Sequence, residues 1–244
     1  MYKTISLHFK YYCEVIFKYI TPIVITMYKS QIRQDEYISK FIFNEKKNGF
    51  FIELGAVDGI TNSNTYYFEK ELGWDGLCIE ANPNNKDDLI KNRDCHKFFC
   101  PIYATSGKEV TFEIVNCSEL SGIQTHLGNI GNCKVEDNVV LKTRTMTEIL
   151  DEINAPKYID YMSLDTEGSE LQVLMGIDFT KYTIGYMNVE HNYNPKMRSL
   201  IHQFLAKKGY IYSRWNKFDD EFIHESLASV YKWAHNTTDM TPNH

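Results

Sequence analysis

From residue 49 onward, short apolar runs alternate with stretches in which apolar residues recur every three or four positions. These are the signatures of strands and helices. The runs predict strands at residues 50–54, 76–80, 97–103, 159–164, 184–189, 210–215 and 227–233, and the helical spacing predicts helices at 65–72, 84–92, 147–153, 169–175 and 195–208. Near-continuous apolar strands alternating with helices indicate an α/β fold, a mainly parallel seven-stranded sheet with helices on both faces. No helix separates the last two strands, so an antiparallel edge is expected there.

Residues 106–145 break this rhythm. Two further strand-like runs, 110–115 and 139–144, surround a polar loop with Ser121, Gly122, Gly128 and Gly131. Such an insertion is expected to lie on the substrate side and cover the rim of a site. At 244 residues, one large domain over 37–235 is expected, with a helical leader at 1–36 and a disordered polar tail at 236–244. In the leader, residues 11–28 are strongly apolar but contain Glu14, Lys18 and Pro22, and the longest uncharged run is the ten residues 19–28. That falls short of the roughly 20 needed to span a bilayer. Packing on the domain is favoured over membrane contact through residues 1–28.

Composition narrows the function. Hydrophobic residues at 43% supply a sizeable core, and 32 acidic against 26 basic residues give a net charge of -6. A nucleic-acid partner, which requires a dense basic surface, is not expected; a small neutral or cationic ligand is. Cys13, Cys78, Cys95, Cys100, Cys117 and Cys133 form no CxxC pair and no zinc-like spacing, and Cys95-His96 with Cys100 lacks a second ligand pair. They read as reduced, mostly buried thiols of a cytoplasmic protein.

The most specific motif is Glu53-Leu54-Gly55-Ala56-Val57-Asp58-Gly59, an apolar strand running into a glycine-bearing turn. Gly55 and Gly59 are expected to let the backbone approach a ligand. The Gly-x-Gly-x-x-Gly phosphate turn is missing, which argues against a nicotinamide-dependent oxidoreductase, the alternative enzyme class. Glu80, at the end of the second strand, is placed to accept hydrogen bonds from ribose hydroxyls.

This motif, with Ser63-Asn64-Thr65, Glu69-Lys70-Glu71-Leu72-Gly73-Trp74 and Gly76-Leu77-Cys78-Ile79-Glu80-Ala81-Asn82-Pro83, resembles the FkbM family of S-adenosylmethionine-dependent methyltransferases. Residues 159–170 and Ser30-Gln31-Ile32-Arg33-Gln34-Asp35 resemble two more of its signatures, so the likeness covers roughly residues 30–225. The resemblance implies a class I methyltransferase (Rossmann-like) sheet and transfer of a methyl group to a hydroxyl of a sugar, glycan or small metabolite. It implies that Gly55, Ala56 and Gly59 line the methionine half of the cofactor, with Ser63 nearby, that Glu53 reaches its amino group, and that Glu80 holds the ribose. Ala81, Ile102 and Tyr103 would flank the adenine.

Asp58 stands where many relatives carry Asn; it either attracts the sulfonium or, more readily, caps a helix near Asn62. Asp165 is expected to face the cofactor, with His191 as general base and Glu190 on the same rim. Asp165, Glu167, Glu190 and Asn192 could instead hold a divalent metal ion, a reading kept but not favoured. A non-catalytic module that retains the fold is the remaining alternative, and oligomeric state is left open.

Overall fold

The computed structural model describes residues 27–228. Residues 1–26 of the expected leader, residues 229–233 of the expected last strand and the tail at 236–244 lie outside the described residues. The strands are β1 (Phe50–Leu54), β2 (Asp75–Ile79), β3 (His96–Phe98), β4 (Glu109–Val115), β5 (Gly122–Ile123), β6 (Val135–Lys142), β7 (Tyr158–Leu164), β8 (Thr183–Glu190), β9 (Tyr210–Asn216) and β10 (Asp219–His224). Seven form one sheet in the order β3-β2-β1-β7-β8-β10-β9. The five from β3 to β8 run parallel, whereas β10 is antiparallel to both β8 and β9. The insertion builds a separate antiparallel sheet, β5-β4-β6.

The helices are α1 (Gln34–Tyr37), continued by a π-helical turn at Ile38–Ile42, then α2 (Tyr66–Lys70), α3 (Lys86–Asn92), α4 (Met146–Glu152), α5 (Glu170–Met175), α6 (Pro195–Ala206) and α7 (Glu225–Ala228). Two begin at side-chain caps that satisfy otherwise unpaired N–H groups. Thr145 accepts from the Glu148 N–H before α4, and Asn194 accepts from the Met197 N–H before α6, whose first residue is Pro195.

Successive strand residues face opposite sides of the sheet. Ile52, Met162 and Met187 therefore join a core under α4, α5 and α6, and Phe51, Tyr161 and Tyr186 join an aromatic core with Phe68, Trp74 and Ile38. The register sets Glu53 beside Ser163 and Ser163 beside Asn188. That buried polar row, on the aromatic side, ends at the carboxyl edge of the sheet.

Two strand expectations need correction. Among the described residues the last strand is β10, and Leu227, expected to open a strand over 227–233, lies in α7. The run Asp-Asp-Glu-Phe-Ile-His reads as too acidic for an interior strand, but its buried carboxylates have fixed partners. Arg198 donates two hydrogen bonds to Asp220, Arg214 donates two to Glu221, and Gln34 donates one to Asp219. Paired in this way, buried charges are tolerated. The strand expected at 97–103 stops at Phe98, since Pro101 interrupts it and Ile102 makes only an isolated bridge to Arg144.

The cysteine expectation is also corrected. Cys117 and Cys133 form a disulfide with a Cα–Cα separation of 5.9 Å, because the pairing of β4 with β6 brings the two ends of the rim loop together. Cys78 and Cys95 are buried free thiols, and Cys100 is half-buried.

Candidate functional site

At the carboxyl ends of β1, β2, β7 and β8 the chain opens a cleft whose space, counted to its mouth, is about 1330 Å³. β1 turns at Gly55, whose φ is 78°; a Cβ there would lie 2.1 Å from the Asp165 carbonyl oxygen. Gly59, at φ 82°, leaves room for Leu89 and Arg93. Both glycines thus admit neighbouring parts of the protein; Gly55 also lines the cleft, where a ligand can approach it, whereas Gly59 lies outside the wall.

Val57 (φ 46°), Glu167 (φ 53°) and Asn192 (φ 44°) all take left-handed backbone conformations at the cleft. Such conformations are costly for non-glycine residues and concentrate at functional sites.

Glu80 is buried at one end of the cleft. It accepts hydrogen bonds from the Val57 N–H at 2.7 Å and the Asn82 N–H at 2.6 Å, and burial pushes its carboxyl up to about 7. Each carboxylate oxygen has two acceptor positions, so capacity remains for two ligand hydroxyls. Ala81, Cys100, Pro101 and Ile102 form an apolar slot beside it.

At the other end, Asp165 follows β7 and Glu190 ends β8. Burial raises both; repulsion by Asp165 adds to the rise at Glu190, and the two share a hydrogen bond that holds the proton on Glu190. Asn192 donates to Glu190 at 2.8 Å and to Glu167 at 3.1 Å. Glu167 is pushed up to about 8, by burial first and Asp165 second. Raised in this way, Glu167 titrates near neutrality, as a general base requires.

Of the residues expected at a site, Glu53, Gly55, Glu80, Ala81, Ile102 and Asp165 line the cleft, as do Glu167, Glu190 and Asn192. Ala56, Asp58, Gly59, Ser63 and Tyr103 are not in its wall. Ala56 belongs to the aromatic core. Asp58 accepts from the Ile60 and Thr61 N–H groups in a local turn, while α2 starts five residues after Thr61, with Thr65 at its N-cap. Asp58 therefore caps neither that helix nor the cleft. Tyr103 pairs with His126.

Glu53 departs from its expected contact with an amino group. Its carboxylate receives hydrogen bonds from Arg93 (2.9 Å), Thr65 (2.7 Å), Ser63 (2.8 Å) and the Asn64 N–H (2.7 Å). Arg93 is fully buried there and also reaches Glu69, which it holds down at about 2.

His191 departs further. It is absent from the cleft wall; its Nδ1 accepts the Tyr193 N–H at 3.1 Å, and its Nε2 has no hydrogen-bond partner among the described residues, lying 3.8 Å from Asp220. Burial lowers its basicity.

Sequence reasoning missed Asn64, Ser163, Asn188 and Asp219. Asn64 donates to Ser163 at 2.8 Å, Tyr161 donates to the Asn188 side-chain oxygen, and Asn188 donates to Asp219 at 3.3 Å. The available signal was a polar residue inside each of two otherwise apolar strands. Ser118, Leu120, Ser121 and Phe112 of the insertion complete the wall.

For a metal ion, Asp165, Glu170 and Glu190 bring carboxylate oxygens within 4.8 Å of one another; Glu170 replaces Glu167 and Asn192 of the expected set. The Glu170 Oε1 already accepts from the Thr166 and Gly168 N–H groups.

The family model of the methyltransferase FkbM domain matches residues 53–212. No curated protein matches the chain. Solved structures similar to it include a precorrin-6y C5,15-methyltransferase from Geobacter metallireducens GS-15, with 10% identity, TM-score 0.43, 82% of this chain and 90% of that one covered. The methyltransferase FkbM of Methylobacillus flagellatus KT has 13% identity and TM-score 0.43, over 74% of this chain and 44% of that one. A methyltransferase from Pyrococcus furiosus has 12% identity and TM-score 0.40, over 89% and 96%. The matched span starts at Glu53 ahead of the glycine turn, takes in Glu80 and the Asp165 strand end, and fills more than half of the sequence: the chain belongs to the FkbM family of S-adenosylmethionine-dependent methyltransferases.

Proposed function

We propose that this methyltransferase acts on a hydroxyl of a sugar, glycan or small polyhydroxy metabolite, with a carboxyl as its base. The observation that carries the reading is the placement of Glu167, beside Asp165 and Glu190, at the opposite end of the cleft from Glu80.

The residues present suit S-adenosylmethionine. Glu80 keeps free acceptor positions for ribose hydroxyls, the slot of Ala81, Pro101 and Ile102 suits an adenine, and the acidic wall suits a cationic ligand. When bound, the cofactor supplies an electrophilic methyl group on a sulfonium. The chain's contribution is alignment and proton removal. Asp165, next to Gly55, faces the middle of the cleft. Glu167 Oε2 is held by Asn192, which leaves Oε1 for an acceptor hydroxyl. A cation in the cleft favours the ionised carboxylate, so Glu167 becomes a competent base at neutral pH only in the loaded protein. Tyr161, Asn188 and Asp219 form a hydrogen-bonded chain, with Asn188 and Asp219 in the cleft wall.

Glu167 thus takes the role expected of His191. The partner is a small molecule or glycan and not a nucleic acid, and the location expected from the sequence is cytoplasmic. That location requires the Cys117–Cys133 bond to persist in a reducing compartment, where such bonds are rare.

Radiolabelled S-adenosylmethionine incubated with extracts separated into glycan, small-metabolite, lipid, protein and nucleic-acid pools tests the reading. Label in the glycan or metabolite pool, stable to treatments that remove N-methyl and ester groups, is expected. Label confined to protein or RNA would overturn the acceptor class and leave the family intact. Absence of both transfer and adenosylhomocysteine binding would favour the non-catalytic module, and tight NAD binding instead would favour the oxidoreductase.

A further inference from the structure

The cleft crosses the strand ends in the order β2, β1, β7, β8, with Glu80 at β2 and Gly55 at β1. An adenosine held at Glu80 therefore sends the amino-acid chain of the cofactor past Gly55 toward β7. That chain ends in an ammonium with three N–H donors, and a cation taken out of water needs acceptors.

The acid expected to receive this group is already occupied. On Glu53, Oε1 accepts from the Asn64 N–H and from Ser63, while Oε2 accepts from Thr65 and Arg93. Each carboxylate oxygen has two acceptor positions, so Glu53 has none left. Arg93 also supplies its counter-charge, and nothing at Glu53 calls for a second cation. Asp165, the other acid beside Gly55, shares its hydrogen bond with Glu190.

Asn64, in the same loop, lies in the cleft wall and is about nine-tenths buried. Its backbone N–H donates to Glu53 at 2.7 Å, and its side-chain nitrogen donates to Ser163 at 2.8 Å. Ser163 is the β7 residue paired with Glu53, so both anchors of Asn64 sit side by side at the strand ends. Its side-chain oxygen Oδ1 is buried and has no hydrogen-bond partner among the described residues. A buried acceptor left unmatched is costly, and a ligand N–H would satisfy it.

We infer that Asn64 Oδ1 receives the α-ammonium of S-adenosylmethionine, and that Glu53 is a positioning residue that holds the Asn64 backbone. The assignment rests on the cofactor of the family and is independent of which acceptor is methylated. It exchanges the expected ion pair for a hydrogen bond from the ammonium to a neutral carbonyl, which places no second negative charge beside Glu53.

The test is calorimetric titration of the full chain with S-adenosylhomocysteine and two analogues of it, one lacking the amino group and one lacking the carboxyl group. Asn64→Ala should weaken S-adenosylhomocysteine and the decarboxylated analogue by roughly ten- to hundredfold, the range for a hydrogen bond to a charged group, and change the deaminated analogue by less than about twofold. Asn64→Asp keeps an acceptor at the same position and should retain the preference for the ligands that carry the amine.

Equal losses for all three ligands in Asn64→Ala would mean that Asn64 only shapes the loop. A loss confined to the ligands that carry a carboxyl would mean that its amide nitrogen serves the carboxylate. Either result, or unchanged affinity throughout, would overturn the inference. If Asn64→Ala does not fold, equal binding of S-adenosylhomocysteine and its deaminated analogue by Asn64→Asp would overturn it as well. Methyl label in protein or RNA would remove the proposed acceptor and leave this assignment standing, whereas failure of the unaltered protein to bind S-adenosylhomocysteine would end it.

Discussion

Glu80 and Glu167 are both glutamates at the carboxyl edge of one sheet, yet their surroundings assign them different tasks. Glu80 is fixed by two backbone N–H groups and keeps acceptor positions free. Glu80→Ala should therefore weaken cofactor binding by roughly 1 to 3 kcal/mol, the cost of lost charge-assisted hydrogen bonds, as measured by calorimetry with S-adenosylhomocysteine. Glu167→Gln should leave that affinity nearly unchanged and lower turnover by about 10²- to 10⁴-fold, the range for loss of a general base. If His191→Asn instead produced that loss and Glu167→Gln did not, the assignment of the base would revert to the histidine.

Gly55→Val places a Cβ against the Asp165 carbonyl and forces a β-branched residue into φ 78°. Cofactor binding should be lost together with thermal stability. Lost binding with an unchanged melting temperature would mean that the glycine serves the ligand alone.

At the scale of elements, two connections hold the site. Arg93, after α3, ties β1 to both ends of α2 through Glu53, Glu69 and Thr65. Arg93→Leu leaves the buried Glu53 without a cationic partner, while Glu69 keeps Lys70, and should cost about 3 to 5 kcal/mol in denaturant unfolding. The insertion is the second connection. Its disulfide closes a 16-residue span that includes Ser118, Leu120 and Ser121 of the cleft wall, and Asn82 donates to both serines at 3.3 Å. Replacing Cys117 and Cys133 by serine should reduce stability by up to about 3 kcal/mol, as expected for a loop of that length. It should raise the acceptor KM while leaving the adenosylhomocysteine Kd in place; loss of cofactor affinity would show that the insertion also shapes the cofactor end.

For the whole molecule, the acidic cleft sets the pH response. Glu80 and Asp219 are raised to about 7 and Glu167 to about 8. A carboxyl whose folded value lies above its unfolded one favours folding while protonated, and that contribution is lost as pH rises from the unfolded value through the folded one. Glu69, held at about 2, acts in the opposite direction: its stabilisation is present above the ordinary carboxylate value and fades as pH falls through 2. The ligand-free protein should therefore be most stable in mildly acidic solution and lose melting temperature between about pH 5 and 8, with little further change above that. Each 1 kcal/mol corresponds to roughly 2 to 4 °C at this size. Saturating S-adenosylmethionine should recover more of the loss than the uncharged-sulfur adenosylhomocysteine. A flat melting profile over that range would contradict the raised carboxyls.

Periodicity and local motif determined much of this protein without reference to its three-dimensional structure. Four parallel strands at 50–54, 76–80, 159–164 and 184–189, the helices around them, the glycine turn and Glu80 were legible because each depends on a few adjacent residues whose burial is nearly complete, whereas the less buried third strand ends at Phe98, short of the expected 97–103. The tertiary structure decided what depends on distant partners. β10 is a strand because Arg198, Arg214 and Gln34 meet its carboxylates; Cys117 finds Cys133 because β4 pairs with β6. Glu53 is tied to Arg93, forty residues further along the chain, and His191 turns toward Asp220 and away from the cleft. A single residue's chemistry is written in its side chain, but its role follows from which charges and donors the fold places within about 3 to 4 Å of it, the reach of a hydrogen bond or ion pair.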